Sequence, residues 1–222
     1  MSLKDLVPDP SLLFRFSFDA HYLPTVSQIG DPMTWGLGAS HLLPALDELS
    51  PKHNSVGIKL GWNEQGLFFE AEYLPPLKRN EEPFHSKCMA EVFVNTRHSD
   101  SIQGFTDYCS NQVFGAQQNQ AWQNSLIKMS LNDYVVRDGG VVRRDNLVSG
   151  TFGVLIQKDP LYTVHLYIDA ASMKDYRPDE FPDLGLYFYL RDQEYGRAYL
   201  SHALDKIGSY RPQFWNRIRL IR

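Results

Sequence analysis

At 222 residues and 43% hydrophobic content, the chain is long enough to bury a core as one large domain. Its net charge of −4 gives no pull toward nucleic acid, and no run approaches the about 18 apolar residues that a membrane helix needs. The aromatic fraction of 13%, with 12 Tyr and 13 Phe, favours strands over helices.

In chain order, residues 12–18 form a short apolar strand after a Pro-containing start. Residues 21–51 mix Pro and Gly and read as an irregular cover with one short helix near 42–49. Val56, Ile58, Leu60 and Trp62 then alternate with Gly57, Lys59 and Gly61. Leu67, Phe69, Ala71 and Tyr73 alternate in turn with Phe68, Glu70 and Glu72. Period two on both arms, with Gly66 closing the connection, predicts a hairpin.

A polar loop at 75–86 leads to a strand at 88–95, with Ala90, Val92 and Val94 on one face. Another strand is expected at 108–114. The amide-rich 117–123 reads as a loop, and 134–144 as a hairpin around Asp138-Gly139-Gly140. Strands at 150–158 and 162–169 flank Asp159-Pro160, and 170–176 makes one or two helical turns. Strands at 184–191 and 214–221 complete the set. In the last, Arg217 and Arg219 alternate with Ile218 and Leu220, so its basic character marks a solvated strand face.

Roughly ten short strands without long crossover helices indicate an all-β fold, a sandwich or a barrel. The expectation is a single domain over 1–222: an antiparallel β-sandwich of two sheets with short helical turns in the loops. Two cysteines, Cys88 and Cys109, are too few for a disulfide scaffold, although both fall on strands and a bond between them is one option. The first ten residues lack an apolar signal core, which points to the cytoplasm and leaves export open.

Several segments resemble the carbohydrate-binding module family 9 and DOMON-like superfamily. Trp62-Asn63-Glu64-Gln65-Gly66-Leu67-Phe68-Phe69 looks like that group's "W-n-e-x-G-L-y-f" hairpin. Glu91-Val92-Phe93-Val94-Asn95-Thr96-Arg97 is similar to its "E-x-F-x-D-T-R" strand. Tyr162 to Asp169 resembles its next-to-last long strand, and Leu184 to Asp192 its "l-G-f-n-y-x-i-x-D" strand. Pro212-Gln213-Phe214-Trp215 resembles a frequent ending. The resemblance implies a two-sheet sandwich that binds sugars, or haem in some DOMON relatives. The chain departs from the pattern at Lys87-Cys88, Asn95 and Gln103-Gly104. There two carboxylates able to hold calcium or sugar hydroxyls are missing.

Sugar recognition needs flat aromatic faces with Arg, amide and carboxylate groups around them. Trp62 lies on the core face and reads as packing, as does Trp215. Trp122, in the amide-rich loop, is the candidate platform, with a structural role as its competitor. The strand face opposite the core carries Phe68, Glu70 and Glu72, then Glu91 and Phe93, then His165 and Tyr167, then Tyr187, Tyr189 and Arg191. Side by side, these would form an aromatic surface interleaved with charges. The competing reading is that residues 21–51 cover it. Candidate ligand-binding residues are therefore Arg97, Trp122, Phe68, Glu70, Tyr187, Tyr189 and Arg191.

Catalysis finds little support. The seven His include no HxxxH or HxH pair, and GxSxG, P-loop and GxGxxG motifs are absent. A grouping of His98, Asp100 and Asp107 reads as solvated loop charge. No cofactor or metal is expected. The expected function is a noncatalytic binding domain with a saccharide ligand. The alternatives are a structural or protein-interaction sandwich that has lost the sugar site, and a haem-binding domain.

Overall fold

The computed structural model describes residues 16–44, 56–73, 89–98, 106–115, 125–137, 140–146, 152–158, 161–192, 196–199, 212 and 215–222. For 56, 73, 89–90, 111–115, 125–137, 140–146, 152–158, 161–162, 189–192 and 196–199 the description is of backbone only. The expected features at Cys88 and Trp122, the loops at 75–86 and 117–123, and most of the helix near 42–49 lie outside these residues.

Twelve strands are described. They are β1 (Ser17–Tyr22), β2 (Val56–Asn63), β3 (Gly66–Tyr73), β4 (Met89–Asn95), β5 (Cys109–Gly115) and β6 (Ser125–Arg137). The rest are β7 (Gly140–Asn146), β8 (Phe152–Lys158), β9 (Leu161–Asp169), β10 (Asp183–Asp192), β11 (Gly196–Tyr199) and β12 (Asn216–Ile221). Between them lie three-residue 3-10 turns at Pro32–Thr34, Ala39–His41 and Ala170–Ser172. The expected hairpins form: β2 with β3, and β6 with β7, both antiparallel. Among the described residues no helix is long and apolar enough to cross a membrane.

The protein is all-β, but its strands make one continuous path, β11-β10-β12-β1-β2-β3-β9-β8-β6-β5-β4, with β7 on β6. Two departures from the expected pair of antiparallel sheets have local causes. First, β1 runs parallel to both β12 and β2, so the sheet is mixed. Second, β10 uses both edges. Asp183–Leu186 pair with β12 and Tyr189–Asp192 with β11, while Gly185–Arg191 pair with β4 on the other side. The pairing with β4 joins the two ends of the path, so the curled sheet meets itself.

Alternation decides which side chains go inside. Phe18, Ala20, Ile58, Leu60, Leu67, Phe69, Val92, Val94, Leu166, Leu186, Phe188 and Ile218 share one core. Each large member contributes about 1.5–3 kcal/mol by leaving water. Phe69 of β3 stacks on Phe188 of β10, with centroids 6.2 Å apart. The two strands therefore face each other across the core. Trp62 is buried as expected, and its Nε1 donates to Ala20 O at 2.9 Å and Ile221 O at 3.2 Å. Trp215 is buried too. Outside, Arg219 pairs with Asp19 at 2.9 Å and Arg217 with Asp183 at 2.6 Å, as a solvated basic face requires. Cys109 is a free, buried thiol, and burial pushes its pKa up.

Candidate functional site

The hairpin turn sets the register from which the site is built. Glu64 and Gln65 form a two-residue connection, with Asn63 opposite Gly66. Gly66 has φ 151°, and a Cβ there would stand 2.0 Å from Ile168 O. Only glycine fits. From that pairing, and from β3 against β9, three rows of outward-facing residues follow. They are Gly61–Phe68–Tyr167, Lys59–Glu70–His165 and Gly57–Glu72–Thr163.

The first row is covered. Residues 23–37 cross it as a strap, and Leu23, Val26 and Trp35 pack with Phe68 and Tyr167. Trp35 meets Phe68 edge-on at 5.2 Å, and its Nε1 donates to Ile29 O at 2.9 Å. Gln65 ties the strap to the turn: its Oε1 accepts from Val26 N at 3.0 Å. Leu23 N donates to Trp62 O at 2.7 Å. Tyr167 Oη donates to Gln65 O at 2.7 Å, and burial raises its pKa, with Asp169 adding to the effect.

The other two rows open into a cavity of about 310 Å³. Its floor is Lys59, Glu70, Glu72, Thr163 and His165. Its wall is the strap, through Pro32, Met33, Gly36 and Leu37. The 3-10 turn that carries the wall is capped by Asp31, whose carboxylate accepts from Met33 N at 3.1 Å. Lys59 Nζ donates to Glu70 Oε1, and His165 Nδ1 lies 3.7 Å from Glu70 Oε2. Trp35 stands edge-on to the His165 ring at 5.9 Å. The floor thus offers ammonium, imidazole, hydroxyl and carboxylate groups, and the wall offers an apolar side. Such a lining suits a small hydroxyl-rich ligand with one apolar face. The volume is at the low end of the about 300–1,000 Å³ usual for small-molecule sites.

The expected candidates do not converge. β3 pairs with β9 and β4 with β10, but the two pairs are not neighbours in the sheet: they stand across the core from each other, where Phe69 and Phe188 stack. Phe68 and Tyr187, next in sequence to those rings, point outward on opposite sides. Neither forms the open aromatic surface expected: their exposures are 0% and 1%. Phe68 lies under the strap, which is the covering role expected of residues 21–51. Tyr187 packs with Phe93, Cys109 and Trp215. Tyr189 and Arg191 follow Tyr187 along β10, pairing with Glu91 and Met89, with only their backbone described. Of the members whose side chains are described, Glu70 alone lines the cavity.

Arg97 sits elsewhere, just after β4. Its N–H donates to Asn95 Oδ1 at 2.9 Å. Its guanidinium donates to Asp175 and to Thr96 O and lies 3.5 Å over the Phe181 ring. Arg177 also pairs with Asp175, at 2.7 Å, and holds that carboxyl below its ordinary range, with Arg97 adding to the effect. Asp175 has φ 56°, a left-handed conformation that aspartate tolerates better than most residues. Arg97 therefore clasps the end of β4 to the loop before β10. Among the described residues no group of three His, Cys, Asp or Glu comes together to hold a metal.

Lys59, Thr163, Met33 and Leu37 were not among the expected site residues. Lys59 had a signal: the two-residue turn places it opposite Glu70. Nothing in the sequence pairs Met33 or Leu37 with the sheet.

No family model matches the sequence, and no curated protein matches it. Solved structures do. The fold is similar to that of a family 9 carbohydrate-binding module from Caldicellulosiruptor kristjanssonii in complex with cellotriose. The TM-score is 0.52 at 12% identity, over 92% of this chain and 93% of that one. A structure of a family 9 module from the same organism in complex with glucose matches at TM-score 0.50 and 11% identity, over 92% and 95% of the two chains. The family 9 resemblance seen in the strand motifs is thus a likeness of the whole fold.

Proposed function

We propose that this chain, folded as the family 9 carbohydrate-binding modules are, is a noncatalytic module that binds a saccharide in the cavity between the strap and the β2–β3–β9 face. We read its curled sheet as a β-sandwich whose two layers meet at Phe69 and Phe188. The observation that carries the proposal is a fold shared over nearly all of both chains with a module solved with cellotriose. The cavity adds compatible chemistry: Lys59 and Thr163 donate, Glu70 accepts, and Leu37 and Met33 supply apolar contact.

Calorimetric titration with glucose and cellotriose tests the reading, with backbone amide shifts to locate the contact. Binding is expected to perturb residues 57–59, 70–72 and 163–165. Glu70→Gln is expected to weaken it by about tenfold, the scale of one charge-assisted hydrogen bond. No binding across a panel of neutral and amino sugars, or shifts confined to another surface, refutes it. A second reading, a structural domain without a sugar site, is favoured by one fact. The rings of Trp35, Trp62, Phe68, Tyr187 and Trp215 are all buried, which leaves none of them as a platform. Shifts absent from every surface would decide for it.

A further inference from the structure

The cavity floor is not electrically balanced, and the hairpin register explains why. Across the first open row, Glu70 has Lys59 beside it on β2 and His165 beside it on β9. Lys59 neutralises it. Across the next row, Glu72 has Gly57 on β2 and Thr163 on β9. Neither carries charge. A Cβ on Gly57 would stand 3.9 Å from Glu72 Oε2 and 3.9 Å from Leu42 Cδ1. The Glu72 carboxylate thus lies over a gap that the missing side chain leaves open, half-buried on the cavity floor. Exposed apolar groups lie nearby: Met33 on the cavity wall is 66% exposed, and Leu42 beside Gly57 is 53% exposed. With Lys59 matched to Glu70, Glu72 is the lining carboxylate that has no basic neighbour in its own row.

We propose that the ligand of this cavity carries a protonated amine that pairs with Glu72. Resting on the saccharide reading above, the ligand class is an amino sugar, bound in preference to neutral sugars and with uronic acids disfavoured. The ammonium takes the place beside Glu72 that Lys59 takes beside Glu70. The ring lies against Met33 and Leu37, and its hydroxyls face Thr163 and Lys59.

The test compares four probes by calorimetry at about pH 7, where an amine of ordinary α-amino basicity is mostly protonated. They are glucosamine, glucose, glucuronate and cyclohexylammonium. Glucosamine is expected to bind about three- to tenfold more tightly than glucose, the range of a partly exposed ion pair. Glucuronate is expected to be weakest, and added salt to narrow the spread. Glu72→Gln is nearly isosteric and should bring the glucosamine-to-glucose ratio to about one. Glu72→Lys should move the preference toward glucuronate, and thermal melts check that both variants fold. Glucose binding as tightly as glucosamine, or a ratio unchanged in Glu72→Gln, overturns the amine inference while the saccharide reading stands. Cyclohexylammonium binding that depends on Glu72, with no sugar bound, supports the amine site and refutes the saccharide reading. Binding by none of the four overturns both.

Discussion

Gly61 controls how closely the strap lies on the sheet, and Gly61→Ala measures that closeness. A Cβ at this position would stand 2.4 Å from Leu23 Cδ1, 2.6 Å from Leu23 Cγ and 2.9 Å from Leu37 Cδ2. Leu23 must retreat by about 1 Å to reach ordinary contact distance. It is buried and held from behind, because its own N–H donates to Trp62 O at 2.7 Å. Two effects oppose each other. Alanine restricts the unfolded chain and stabilises by about 0.4–1 kcal/mol where its backbone fits. Overpacking a filled site destabilises by about 1–3 kcal/mol. Steric strain should win, for a net loss of about 1–2 kcal/mol and a melting point lower by roughly 2–8 °C for a chain of this size. Because Leu37 is part of the cavity wall, ligand affinity should fall with it. A double-mutant cycle with Leu23→Ala assigns the cause, since that change removes the two nearest atoms. In the Leu23→Ala background, Gly61→Ala should be nearly neutral. Equal destabilisation in both backgrounds would refute the idea that strap contact sets the need for glycine.

Gly66→Ala is expected to destabilise by more than about 3 kcal/mol, since its Cβ meets the Ile168 carbonyl oxygen and backbone cannot step aside as a side-chain tip can. A wild-type urea midpoint would contradict this. Arg97→Ala is expected to lower stability by about 1–2 kcal/mol through the lost contact with Phe181 and the lost pair with Asp175. An unchanged thermal melt would mean that the clasp is idle. Burial, and then the neighbouring His21, holds His41 below the ordinary histidine range. The unfolded chain therefore binds the proton more readily. Stability should fall as pH drops through about 6.5 and level off below the folded value. Urea midpoints between about pH 8 and about pH 5 report it, and His41→Gln should flatten that slope. A slope identical in wild type and variant would exclude His41 as its source.

The strands were legible in the sequence because alternation is a local signal. Leu67, Phe69 and Ala71 go inward for the same reason that Phe68, Glu70 and Glu72 go outward, and the pleat allows no other division. The two-residue turn at Glu64-Gln65 also carried the register, so the neighbours Lys59–Glu70 and Gly57–Glu72 were readable in principle. The placement of Trp62 in the core followed from the same count.

What lies over each face was not readable. Phe68 and Tyr187 have the same outward parity, and parity says nothing of which strands are neighbours. Only the tertiary arrangement curled the sheet so that β3 and β10 stand across the core from each other, covered Phe68 with Trp35 and Val26, and covered Tyr187 with Trp215. It also ran β1 parallel to both its neighbours and let β10 pair along both edges. The hairpin and its buried Trp62 come from period-two chemistry within a few residues. The cavity beside it depends on Met33 and Leu37 meeting Glu70 and His165, and such long-range contacts are selected by packing of the whole chain, which no local pattern encodes.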